Sequence, residues 1–399
     1  MTAEAPADPA SRGLVLLLAL SAGVTVANIY YNQPLLAAMA RSFGATERET
    51  GMIPTLTQLG YGLGMLALVP LGDRYERRGL IVRMVVISVA VLVLLAFAPS
   101  LPLLAAASLA LGVASMVPQY IVPYAAGAAA PEERGRVVGT VMSGLLIGIL
   151  LSRTVSGFVS EHLGWRAMYL IAAAANGGLA LVLRIKLPRQ PPAQEVSLGE
   201  LYLSLVRLAR TEPILRLHAT LGALTFAAFS AFWSTLAFHL AAPPLSYGSA
   251  VAGSFGVIGV VGAVAAPLVG RFADNRDPAI ITIVALVAVG LSFVLFGALG
   301  HSLIGLGLGV ILLDLGVQAG QITNQTRVYA LAPHMRNRLN TVYMSTYFAG
   351  GALGSLLGSV AYTTGGWTAV SWSGIALAVT ALVIFLLARA VAARSPNGA

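Results

Sequence analysis

About twelve apolar runs divide this chain, each long enough to cross a bilayer, and its charges sit almost wholly in the gaps between them. A helix needs about 20 apolar residues to span the hydrocarbon core. The runs fall near 13–36, 48–71, 79–98, 102–129, 137–161 and 166–187, then near 213–240, 247–272, 279–299, 302–330, 339–362 and 367–390. Of 399 residues, 57% are hydrophobic and 10% are charged, where a soluble domain carries about 25% charge. A chain this apolar cannot cover itself with polar surface, so its solvent is lipid. There is no cysteine, which excludes disulfides and thiolate chemistry.

The net charge of +9 is a matter of orientation, not of nucleic acid. Arg74, Arg77, Arg78, Arg83, Arg134, Arg136, Arg271, Arg276, Arg336, Arg338 and Arg389 all lie on one side of the runs, and only Arg41, Arg48 and Arg166 lie in the opposite loops. Basic loops stay in the cytoplasm. Both termini are therefore expected there, with an even number of spans. The acidic, Pro/Ala-rich start has no basic n-region and reads as a tail, not a signal peptide. The longest polar segment, between Leu187 and Pro213, begins Pro-rich. It then repeats Leu198, Leu201, Leu205 and Leu208 at helical spacing, as a surface helix would. The expected organisation is a tail (1–12), a six-helix bundle (13–187), a cytoplasmic linker (188–212), a second six-helix bundle (213–390) and a tail (391–399).

The halves align at an offset of 202 residues, which brings Pro131, Arg134 and Arg136 onto Pro333, Arg336 and Arg338. Met142-Ser143 then meets Met344-Ser345, Gly164-Trp165 meets Gly366-Trp367, Gln119 meets Gln321 and Tyr31 meets Trp233. Repeats related by an axis along the membrane normal are a transporter architecture, with the substrate near the midplane between them. Spans two, five, eight and eleven carry small residues at spacing four, such as Gly60–Gly64, Gly144–Gly148 and Gly350–Gly354–Gly358. Such residues let helices approach closely in lipid.

"PLGDRYERRG" (70–79) falls between spans two and three, and "GRFADNRD" (270–277) is its weaker copy between spans eight and nine. With "NIYYNQPLL" in span one and the "PEERGR" loop, these resemble the major facilitator superfamily, and within it bacterial drug- or sugar-efflux members. The resemblance implies a multi-pass protein of the bacterial inner membrane, working as a monomer, with spans one, four, seven and ten lining a central cavity. It also departs from the pattern: Val69 stands where a glycine is usual, and "GLLIGILLSRTVSG" in span five lacks the proline common in antiporters. The basic loop signature, with Asp73, Arg74, Arg77, Arg78 and Asp274, reads as a cytoplasmic gate. Its arginines alone would serve topology, but the aspartate is unnecessary for that.

Asp314 and Arg153 are the two charges well inside spans. Charge within a bilayer costs several kcal/mol and is functional by default. Asp314, Gln318, Gln321 and Gln325 follow one helix face, so the stripe points at a wet interior. Span one repeats the pattern with Ser21, Thr25, Asn28 and Asn32, beside Tyr31. Met116, Gln119, Tyr120 and Tyr124 in span four, Phe226, Ser230 and Trp233 in span seven, and Tyr343 and Tyr347 in span eleven complete the candidate substrate residues. Such walls suit an amphipathic organic solute or a sugar. Asp314 can exchange a proton, pair permanently with Arg153, or meet a cationic substrate. Arg153 can also hold an anion.

The expected function is secondary transport of a small organic solute, with proton-coupled export first and import or uniport second. Its partners are that solute, protons and the lipid bilayer, with neither nucleic acid nor cofactor. An intramembrane enzyme would need a metal cluster, a Ser–His pair or paired carboxylates, and the motifs for these are missing.

Overall fold

The structure is a computed structural model that describes residues 11–130, 132–190, 197–259, 277–332 and 335–394, the side chains of Asp73 and Arg394 excepted. Every regular element among them is helical, as lipid requires of a chain that must satisfy its own backbone groups. The main helices are α1 (Arg12–Ala27), α2 (Met52–Leu68), α3 (Arg77–Ala96), α4 (Leu101–Ala128), α5 (Arg134–Leu163) and α6 (Trp165–Lys186). There follow α7 (Leu198–Thr211), α8 (Pro213–Ala241), α9 (Ser249–Gly259), α10 (Pro278–Leu299), α11 (Leu303–Leu331) and α12 (Arg336–Arg394). Eight of these are long and apolar enough to cross a membrane. The expected span 247–272 is described only as far as Gly259, and Asp274 with its loop lies outside the described residues.

Glycine ends the long helices where the repeat places it. Gly164 separates α5 from α6 with φ 84°. Gly366, its partner in the alignment, has φ 62° and, with Gly365, breaks α12 into two helices end to end. Positive φ is cheap only for glycine.

Proline disturbs two spans. The run 13–36 was expected as one helix, but α-helix stops at Ala27. Ile29 and Tyr30 then bond three residues back, to Val26 and Ala27, ahead of Pro34. In α4 the same tightening appears at 115–117, before Pro118. A proline nitrogen cannot donate, so the preceding turn closes as 3₁₀ instead.

Small residues set the packing. A Cβ on Gly23 of α1 would lie 2.6 Å from the Gly144 carbonyl oxygen of α5, and one on Gly148 would strike the Gly23 backbone. The second half repeats this contact, with Gly350 and Gly354 of α12 against Ala223 and Ala227 of α8. Gly60 and Gly64 of α2 lie on the backbone of Leu109 and Val113 in α4. The linker helix α7 starts at Ser197, which caps Glu200, and buries Leu201, Leu205 and Leu208. It is tied to the end of α2 by the Tyr202 hydroxyl donating to the Ala67 carbonyl at 2.6 Å.

These contacts leave no room for a side chain at the α1–α5 crossing. Gly148→Val should lose about 1–3 kcal/mol through overpacking, seen as a lowered Tm in detergent. An unchanged Tm would contradict the crossing.

Candidate functional site

A cavity of about 550 Å³ lies between the helices. Its mouth is formed by Val69, Pro70, Gly72 and Arg77, by Val122 and Pro123, by Arg336, Asn337 and Arg338, and by Leu201 and Leu205 of α7. That is the side of the arginine-rich loops. At the other side the helices are sewn shut. Thr154 of α5 donates to the Gly253 carbonyl of α9 at 3.0 Å, Ser160 to Ser249 at 3.4 Å, and the Ala250 amide to Glu161 at 3.1 Å. Gly157 faces Gly253 so closely that a Cβ would come within 2.9 Å of its Cα. Gln58 of α2 donates to Ser355 of α12 at 3.0 Å and accepts from Ser230 of α8 at 3.1 Å.

The polar stripe of α11 lies in the cavity wall, with Asp314, Gln318, Gln321 and Gln325 all lining it. Asp314 is 7% exposed. Its carboxylate rests against Gly259, where a Cβ would sit 2.5 Å from Oδ2. Among the described residues the ion pairs are Arg136–Glu133 and Arg389–Asp277, and Arg153–Asp314 is not one of them. Among the described residues none donates a hydrogen bond to Asp314, whose carboxylate borders the cavity.

Arg153 is 1% exposed and also borders the cavity. Its Nε donates to Gln33 Oε1 at 2.6 Å and Nη1 to the Ile149 carbonyl at 3.3 Å. Trp233 lies 4.2 Å from the guanidinium carbon, Tyr30 4.7 Å and Phe229 5.7 Å. Pairing of the two buried charges is one of three readings of Asp314; within 4.0 Å no such ion pair forms, and an amide and three aromatic rings surround the guanidinium instead.

Gln119, Tyr120, Phe226 and Tyr347 also line the cavity. The two glutamines aligned by the repeat both meet tyrosines: Gln119 donates to Tyr61 at 3.3 Å, and Tyr347 donates to Gln321 at 3.5 Å. Phe226 stacks on Tyr347 at 4.1 Å, and Tyr61 meets Phe348 at 4.3 Å with the rings tilted by 40°.

The remaining candidates do not line it. The span-one stripe turns inward to its own neighbours: Asn28 exchanges hydrogen bonds with Asn176 of α6 at 3.3 and 3.2 Å, and Asn32 donates to Thr57 of α2 at 3.1 Å. The Asn28 and Asn176 amides satisfy each other, while the Asn32 Oδ1 is buried without a partner. Tyr31 and Met116 are packed in apolar cores, and Tyr343 is fully buried. Ser230 and Trp233 are engaged by Gln58 and Arg153, and the Tyr124 hydroxyl donates to the Pro188 carbonyl at 2.8 Å.

Sequence reasoning missed Tyr30, Gln33, Tyr61, Phe229 and Phe348. "NIYYNQP" held the signal for the first two, since a proline there interrupts the helix and resets its facing. At the basic signature, Arg77 donates to the carbonyls of Gly72 at 3.2 Å and Pro123 at 3.4 Å. Arg78 reaches the Arg184 carbonyl, and Arg74 lies 6.0 Å from the Tyr75 ring. The Asp73 side chain and Asp274, the acidic members of the expected gate, lie outside the described residues.

Residues 18–346 match the family model described as Major Facilitator Superfamily. The chain is 41% identical over 381 residues to the transporter YgaY of Escherichia coli O157:H7, covering 95% of this chain and 96% of that one. It is 32% identical to the "probable transporter SCO4007" of Streptomyces coelicolor, covering 94% and 89%. It is 23% identical to a "probable sugar efflux transporter" of Haemophilus influenzae, covering 93% and 91%. Among solved structures, the peptide transporter POT in complex with sulfate superposes with a TM-score of 0.80 at 14% identity, covering 97% of each chain.

The closed seam predicts a reporter experiment. The native chain has no cysteine, so Met344→Cys on the cavity wall can be labelled alone. Adding Gly157→Leu should wedge the α5–α9 seam open, shift the population, and lower labelling from the arginine-rich side at least about fivefold. Unchanged labelling would mean that the seam is not a gate.

Proposed function

The chain belongs to the major facilitator superfamily, and on that premise we propose that it is a proton-coupled secondary transporter exporting a small organic solute. The observation that carries this reading is the unpaired Asp314 carboxylate on the wall of an accessible cavity, in line with three glutamines. A buried carboxylate without donors is costly when ionised and stable when protonated. A group so placed can trade its proton as its surroundings change from one side's water to the other's.

In this reading twelve spans form two six-helix bundles, 13–187 and 213–390, related by a pseudo-twofold axis and joined by the 188–212 linker. The arginine-rich loops and both termini face the cytoplasm of a bacterium, and the cavity described above is the inward-open state. The two bundles then rock about the glycine seams, so the α5–α9 contacts form the outer gate and the 70–79 and 270–277 loops form the inner one. Export is supported by the resemblance to efflux members. The lack of a proline within 144–157 favours the runner-up, import or uniport on the same fold.

The test is transport in proteoliposomes under an imposed pH gradient. Asp314→Asn should cut gradient-driven transport at least about tenfold while solute counterflow and Tm are retained. Full gradient-driven transport in that variant would reject the coupling role.

A further inference from the structure

Asp314 acts on the charge of Arg153 through space but forms no ion pair with it. A buried guanidinium is normally matched by a carboxylate, because an isolated buried charge is very costly. Here no ion pair within 4.0 Å is formed by Arg153 among the described residues. Its Nη2 is buried and has no acceptor, and the indole Nε1 of Trp233, in the ring packed 4.2 Å from the guanidinium, has none either. Two neighbouring side chains thus each hold a buried donor without an acceptor. The rings hold the guanidinium in a fixed plane and leave its charge intact. A planar fork held this way fits a carboxylate.

The approach to this place agrees. Arg336 and Arg338 border the cavity nearer its mouth, on the same lining as Arg153. Such a funnel raises the local concentration of anions. Between mouth and floor stand the Phe226–Tyr347 stack and Phe229, a flat apolar wall. Phe229 borders both the cavity and the guanidinium, 5.7 Å from it, and is the side chain whose rotation would admit a ligand.

The geometry points to a carboxylate-binding subsite built from Arg153 and Trp233, and to an organic anion with a planar aromatic body as the transported solute. This rests on the cavity being the solute site, as proposed above, but not on proton coupling. The carboxylate takes hydrogen bonds from Nη2 and from the indole N–H, and the ring lies along Phe226 and Tyr347. Gln33 is a positioning residue that fixes the guanidinium through Nε.

The test is calorimetric binding to the full-length protein in nanodiscs, using acids paired with their neutral amides: phenylacetate with phenylacetamide, and indole-3-acetate with indole-3-acetamide. In the native protein the acids should bind at least about tenfold more tightly than their amides, as expected for charge-assisted bonds to a buried partner. Arg153→Gln should erase the difference, and Arg153→Lys should restore part of it. Trp233→Phe keeps the stacked ring but removes the donor, and should weaken only the acids, about threefold to tenfold. The acid–amide comparison in the native protein and Trp233→Phe keep the test decisive if Arg153→Gln does not fold. Equal binding of acid and amide, failure of every acid to bind, or a preference that survives Arg153→Gln would overturn the subsite. Loss of gradient-driven transport in Asp314→Asn without any acid preference would remove this inference and leave proton coupling standing. Acid preference with transport indifferent to pH would do the reverse.

Discussion

Ionised side chains surrounded by hydrocarbon must be answered, and the way Arg153 is answered organises the centre of this protein. Its Nε is taken by Gln33, which follows the broken end of α1, and its faces by Tyr30 and by Trp233 and Phe229 of α8. Segments from both halves of the chain therefore meet on a single guanidinium. None of these partners is charged, and among the described residues the guanidinium forms no ion pair. Asp314, on the same cavity, is held by shape and not by a partner, resting where only Gly259 leaves room. Two opposite charges kept apart in an apolar setting form a more responsive pair than two that have already neutralised each other.

The backbone makes that arrangement movable. At the α5–α9 crossing the contact is Gly157 on Gly253, reinforced by hydroxyls and by Glu161, which accepts a hydrogen bond from an amide at the start of α9. At the α2–α12 crossing one glutamine, Gln58, bridges two serines. The α5–α9 contacts are between small residues, while the α2–α12 crossing also carries the Tyr61–Phe348 ring contact, and the hydrogen bonds are few and neutral apart from Glu161. Such interfaces are held largely by close packing and can separate without exposing many unpaired groups. The two crossings lie on the side away from the open mouth, as a gate must if one side opens while the other closes.

The helices and the α11 stripe were legible from periodicity, because lipid forces polar residues onto one inward face. The close crossings at Gly60, Gly64, Gly144, Gly148, Gly350 and Gly354 were legible for the same reason, since spacing four in an apolar run has few other uses, whereas that of Gly157 on Gly253 was not read. Span one was misread in an instructive way. Its polar stripe was real, but periodicity says which residues share a face and not which neighbour that face meets. Asn28 finds its partner 148 residues away on α6. The tightened turn ahead of Pro34 then resets the phase, so Tyr30 and Gln33, rather than Asn28 and Asn32, come to Arg153. The depth of Arg153 could be read from the sequence. Its aromatic surroundings could not, because two of the three rings come from a helix in the other half of the chain and the third follows the broken end of α1.

The central claim is that solute binding and the protonation of Asp314 are linked. The most direct measurement is the number of protons exchanged when solute binds, obtained calorimetrically in buffers of different ionisation enthalpy. The account predicts a proton exchange that varies with pH in the native protein and vanishes in Asp314→Asn, whose binding is otherwise intact. Solute binding with no proton exchange at any pH, or an exchange unchanged in that variant, would contradict it.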